Sequence, residues 1–226
     1  MQNSFSELTA GLKHILPFGT FLVLTGLTPL IPGGVVWIYP LKTCLVGFLL
    51  LWFWHAYPEI QVRRVLKPIP ILFTLIIGIG VFAIWILPDL LGWHYPLLGE
   101  SSGFNPYEKL GSRRWAIVWI GFRLLGAAVV VPVMEELFWR SFLLRYLIHP
   151  NFKQVSIGAF SWLSFGATVL LFGVEHNRWL VGMVAGILYN LLLYRTKSVF
   201  VCILAHAITN LALGVYVLMT HQWIYW

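Results

Sequence analysis

The stretch IPILFTLIIGIGVFAIWILPDLLG, residues 69–92, carries one ionisable side chain, Asp89. A helix needs about 20 mostly apolar residues to cross the hydrocarbon core of a bilayer, so this stretch reads as a transmembrane helix. Outward from it the same pattern recurs on both sides. Apolar segments run from about Ile15 to Ile31, Val35 to Tyr57, Trp115 to Val131, Val133 to Ile148, Val155 to Val174, Trp179 to Tyr194 and Val199 to Thr220. Pro32-Gly33-Gly34 closes the first, and Pro132 predicts a stop between the fourth and fifth. The expected fold class is all-α: a polytopic transmembrane bundle of about eight helices, one integral membrane domain over residues 1–226. No internal repeat or low-complexity tract divides it.

Composition excludes a soluble fold. Of the 226 residues, 59% are apolar and 10% charged, against about 25% charged in an ordinary soluble domain. The net charge of +7 does not point to nucleic acid, because the basic residues sit in short loops between apolar runs. There they set orientation and meet anionic membrane lipids. Trp52, Trp54, Trp93, Trp115, Trp179, Trp223 and Trp226 fall near span ends as interfacial anchors. Cys44 and Cys202 both lie inside apolar runs, which argues against a disulfide framework. Residues Met1 to His14 lack a basic n-region and a cleavage site, so the first apolar run is expected to be retained.

With eight spans the charges divide both ways. An inside N-terminus collects Lys13, Arg63, Arg64, Lys67 and Arg178; the opposite arrangement collects Lys109, Arg113, Arg114, Arg145, Lys153, Arg195 and Lys197. The compact basic loop Arg63 to Lys67, close to the first helix, favours the N-terminus inside.

Ionisable groups at membrane depth need a partner or a purpose. In Glu135-Glu136-Leu137-Phe138-Trp139-Arg140, helical spacing lets Glu136 pair with Arg140. Glu135 is turned about 100° away and left free of that pair. The bland alternative is a solvated first turn of a helix, where carboxylates suit the dipole. His176 closes Phe172-Gly173-Val174-Glu175-His176, where a loop or interfacial role is the simpler reading; Glu175 is expected to face the loop or pair with Arg178. His206 and Asn210 share one face of the last segment, as catalytic groups or as interhelical hydrogen-bonding glue. If the helices alternate direction, Glu135, His176 and Asn210 all approach one membrane face.

A carboxylate in a dry site can serve as general base, a histidine can orient water, and Asn amide and histidine N–H groups can hold an oxyanion. That set suits amide hydrolysis by activated water. Glu135, His176 and His206 also make a conceivable zinc set, but His-Glu-x-x-His is absent and a metal-free site, without cofactor, is favoured. Arg123, inside the fourth segment, offers a substrate carboxylate a partner, or else snorkels or pairs structurally. Cys202 reads as buried and inert, and Gly182 with Gly186 as a close-packing face.

The ordered motifs Glu-Glu-x-x-x-Arg, Phe-x-x-x-His and His-x-x-x-Asn, over Val133 to Leu218, resemble those of the CPBP intramembrane peptidases. These comprise the CAAX prenyl protease and bacteriocin-processing (Abi) proteins. The resemblance implies an endopeptidase recessed in the membrane and acting on a membrane-anchored protein or peptide substrate. Glu135 would be its base, His176 would help activate water, and His206 and Asn210 would form the oxyanion hole. Glu136, Arg140 and Phe172 would be supports. Val131-Pro132-Val133-Met134 and the short length are similar to CAAX protease-related proteins of bacterial exosortase sorting systems, which implies a multi-pass protein of the bacterial inner membrane. The N-terminal half carries no motif of the family. A non-enzymatic scaffold or immunity protein of the same fold is one alternative, and a proton-relay transporter is another, which the missing repeat disfavours.

Overall fold

A computed structural model describes residues 2–60, 68–98 and 103–226, with side chains from residue 10 and, in the third helix, from residue 71. The described residues form helices joined by turns and irregular loops, without a strand. In chain order the helices are α1 (Gln2–Leu27), α2 (Gly34–Trp52), α3 (Pro68–Leu90), the short α4 (Pro106–Lys109), α5 (Arg113–Tyr146), α6 (Trp162–Val174), α7 (Trp179–Thr196) and α8 (Val199–Thr220). Six of them are long and apolar enough to cross a membrane, and α6 is a shorter apolar helix. The chain is a multi-pass integral membrane protein. The basic loop Arg63 to Lys67 and the start of the polar stretch, residues 99–102, lie outside the described residues.

The fourth and fifth apolar segments are not two spans. They form the single helix α5, and Pro132 does not end it. The reason lies in the preceding turn, Gly126–Val130, which is π-helical. A widened turn accommodates the proline ring and its missing N–H, and it leaves carbonyls for other donors. Ala127 O accepts from Asn210 Nδ2 of α8 at 2.8 Å. A second π-helical stretch, Leu137–Leu143, follows the two glutamates. Glu135 therefore lies far inside a long helix and does not begin a span at the membrane face, as alternation of eight spans had suggested.

Capping fixes where α5 and α6 start. Ser112 accepts from Trp115 N–H, and Ser161 from Ser164 N–H. Residues 155–161 consequently stay outside α6, which is only 13 residues long. That is roughly 20 Å, short of a full crossing. Its C-terminal Glu175-His176 thus stops within the bundle.

Close backbone approach then packs the helices. A Cβ on Gly182 would meet Gly173 Cα at 3.1 Å, and one on Gly78 would meet Ala205 O at 2.8 Å. The first contact joins α7 to α6, and the second joins α3 to α8. The expected packing face of Gly182 and Gly186 is present, with Gly186 against Phe172.

Candidate active site

The three motifs meet where α5, α6 and α8 cross. Glu136 Oε1 accepts from Arg140 Nη1 at 3.1 Å and from His206 Nδ1 at 2.9 Å. The expected Glu136–Arg140 pair is there, and it also fastens the histidine of α8. Arg140, 1% exposed, places its guanidinium carbon over the Phe172 ring, 4.4 Å from the centroid. Phe172 in turn is 4.9 Å from the His176 ring and 6.3 Å from that of His206. One buried ion pair and one phenyl ring thus hold the carboxylate, His176 and His206 in register.

Hydrogen bonds fix which ring nitrogens remain. His176 Nδ1–H donates to Phe172 O at 2.7 Å, because a carbonyl can only accept. His206 Nδ1–H donates to the Glu136 carboxylate. Both rings are left with Nε2 as the nitrogen free for chemistry. Asn210 spends one amide hydrogen on Ala127 O and keeps one.

Glu135, Glu175, His176, His206 and Asn210 line one hollow of about 260 Å³. At about 30 Å³ per water it has room for several waters. Oε2 of Glu135 and Oε2 of Glu175 are both buried without a hydrogen-bond partner. Such orphans are uncommon in native proteins and ask for an explanation. Electrostatically the two carboxylates are neighbours.

Glu175 departs from expectation. It neither faces the loop nor pairs with Arg178, which bonds Asp89 at 2.8 Å instead. Its spacing could have revealed this, since Phe172, Glu175 and His176 share a helical face. Two aromatic groups also escaped the sequence reading. Tyr189 stacks on His206 at 5.2 Å and donates to Thr209 Oγ1, while Trp85 meets His176 edge-on at 5.4 Å. Tyr189 continues the Gly182-Gly186 face of α7, a usable signal; for Trp85 nothing local distinguishes it from the other aromatics of α3.

Arg123 reaches the same hollow but has no carboxylate partner among the described residues. Its guanidinium lies 4.4 Å from the Tyr39 ring and 5.9 Å from that of Trp226. Cys202 is fully buried, with Sγ towards Tyr189 O, as an inert thiol would be. The conceivable zinc set does not converge: among the described residues no three His, Cys, Asp or Glu side chains stand where they could share a metal ion.

Residues 115–212 match the family model described as Type II CAAX prenyl endopeptidase Rce1-like. The match spans somewhat less than half of the chain and contains Glu135, Glu136, Arg140, Phe172, His176, His206 and Asn210. The resemblance read from those motifs is thus shown for this region. No curated protein and no solved structure matches the chain.

Proposed function

We propose that this membrane-embedded protein, with its Rce1-like region, is an endopeptidase that hydrolyses a peptide bond in a membrane-anchored protein or peptide by carboxylate-activated water. The single observation carrying this reading is the unpartnered oxygen of Glu135, buried in a hollow with two imidazoles. Glu136 Oε2 is also buried without a partner, but Glu136 already holds Arg140 and His206 and does not line the hollow, whereas Glu135 lines it and makes no ion pair among the described residues.

Glu135 takes a proton from water positioned by His176, and the oxygen attacks the scissile carbonyl carbon. The oxyanion so formed is held by the free Asn210 N–H and by His206. His206 can donate from Nε2 only when that nitrogen also carries a hydrogen, with Nδ1–H kept on Glu136 at 2.9 Å. As the C–N bond breaks, the proton passes from Glu135 to the leaving amine. Glu175 is placed to share that transfer. Glu136, Arg140 and Phe172 are positioning residues. The route uses no metal or cofactor; zinc on Glu135, His176 and His206 is the rival chemistry, told apart by metal content and by chelator sensitivity of the purified protein.

Joining two segments into α5 also regroups the loop charges. The N-terminal side now collects Lys13, Arg145, Lys153, Arg195 and Lys197, together with the basic residues between α2 and α3. The other side has Lys109, Arg113, Arg114 and Arg178. This supports an inside N-terminus. The hollow, bordered by the C-terminal Tyr225 and Trp226, then opens outside. An outward site in a bacterial inner membrane, serving a protein-sorting system, agrees with the Val131 to Met134 stretch.

The test compares purified parent and Glu135→Gln proteins on membrane-anchored peptides, with new peptide ends read by mass spectrometry. Loss of a general base should lower the rate by about 10²–10⁴-fold. Equal cleavage by a folded Glu135→Gln protein would sink the assignment and favour a non-enzymatic scaffold.

A further inference from the structure

Beside the catalytic hollow lies a larger cavity of about 780 Å³, bounded by the α1–α2 turn, Phe104, α5 and the C-terminal Trp226. The two spaces share Tyr39, Arg123 and Trp226. Three cations line the larger one, Lys42, Lys109 and Arg123, and no Asp or Glu does among the described residues.

Lys42 is the decisive residue. It sits in the apolar helix α2, only 7% exposed, with its ammonium donating to Thr25 Oγ1 at 2.8 Å and lying 4.1 Å from the Phe21 ring. No carboxylate among the described residues balances it. Arg123, equally without a counter-ion among the described residues, lies within its electrostatic reach, and Arg123 Nε is buried with no partner. Burying a cation is costly; placing two like charges together at membrane depth compounds that cost unless an anion joins them.

The remaining lining suits a phosphate. The N-terminal turn of α2 at Gly33-Gly34 borders the cavity, and its dipole adds to the positive field of the cations. The hydroxyls of Thr25, Thr28 and Tyr39 are spent on the carbonyls of Phe21, Leu24 and Arg123 and leave the cations as the anion's donors. The adjoining surface is apolar and open: Leu30 is 74% exposed and Trp37 72%. A molecule with a phosphate head and hydrocarbon tails fits both features at once. We propose that this cavity binds the phosphate of an anionic phospholipid headgroup, through Lys42 and Arg123 with Lys109 at the rim, next to the catalytic hollow. The site is independent of the peptidase reading and would exist in a catalytically dead protein.

Native mass spectrometry after extraction from bilayers of equal phosphatidylglycerol and phosphatidylcholine tests it. The parent and the Glu135→Gln protein should each retain one phosphatidylglycerol, preferred about tenfold or more over phosphatidylcholine. Lys42→Met and Arg123→Gln should abolish that preference, and Lys42→Arg should keep it, which separates charge loss from misfolding. No preference in the parent, or an undiminished preference in a folded Lys42→Met protein, would overturn the proposal. Displacement of the lipid by millimolar inorganic phosphate would instead identify a free-phosphate site. Displacement by a peptide with a free C-terminal carboxylate, but not by its amide, would identify a substrate subsite. Either result would refute the lipid assignment.

Discussion

Two buried polar clusters lie along α5, and they are built to opposite rules. Towards the end of α5, Glu59 Oε1 accepts from His14 Nε2 at 2.8 Å, from Ser141 Oγ and from Arg145 Nη2 at 3.4 Å. Arg145 also donates to Ser141 Oγ at 2.7 Å. Burial alone would raise the Glu59 pKa, but the hydrogen bonds from His14 and Ser141 outweigh it and hold the carboxyl down at about 2. Earlier in α5 Glu135, and at the C-terminal end of α6 Glu175, each keep an oxygen with no partner. Saturated hydrogen bonding marks a staple, here joining α1 and the α2–α3 connection to α5. Unsaturated carboxylates that line a hollow, as Glu135 and Glu175 do, mark a place where something else is meant to bind. Burial is common to both clusters, so burial alone does not distinguish them.

Removing one side of a buried ion pair should do the most damage. Arg140→Met strands the Glu136 carboxylate, 0% exposed, and is expected to cost about 3–5 kcal/mol, seen as a large drop in Tm in detergent. A small loss would mean that the Glu136–Arg140–His206 network is not the support described above. Glu59→Gln weakens the staple and should cost on the order of 2 kcal/mol. Its pH signature follows from the depressed pKa. The parent gains stability from ionised Glu59 above the ordinary value of 4.5 and loses it as pH falls towards about 2. Glu59→Gln should flatten the stability curve across that window; an unchanged acid limb would remove Glu59 from the account. Smallest of the three, Glu135→Gln should leave stability within about 1 kcal/mol of the parent or raise it, since it relieves an unsatisfied group. A collapse of the fold on that change would make Glu135 a staple too, and erase the contrast.

The regularities legible in the sequence were those that need no knowledge of neighbours. Membrane insertion, the helical class and the Glu136–Arg140 pair follow from apolar run length and a four-residue spacing, both properties of a single helix. So does the likeness of residues 115–212 to the CAAX endopeptidases, because its motifs are local. Glu175 was misassigned because its surroundings come from α5, whose last residue, Tyr146, lies 29 residues before it in the chain. Pro132 misled for a similar reason: the π-helical turn that tolerates it is held by Asn210 from α8. Only the packed bundle could decide that α5 is one helix, that Glu136 holds His206, and that Lys42 and Arg123 lack a counter-charge among the described residues. Hydropathy along a chain reports what each segment wants to leave behind, namely water. Which side chains find a partner afterwards depends on helix faces meeting across long sequence separations, and that is settled by packing.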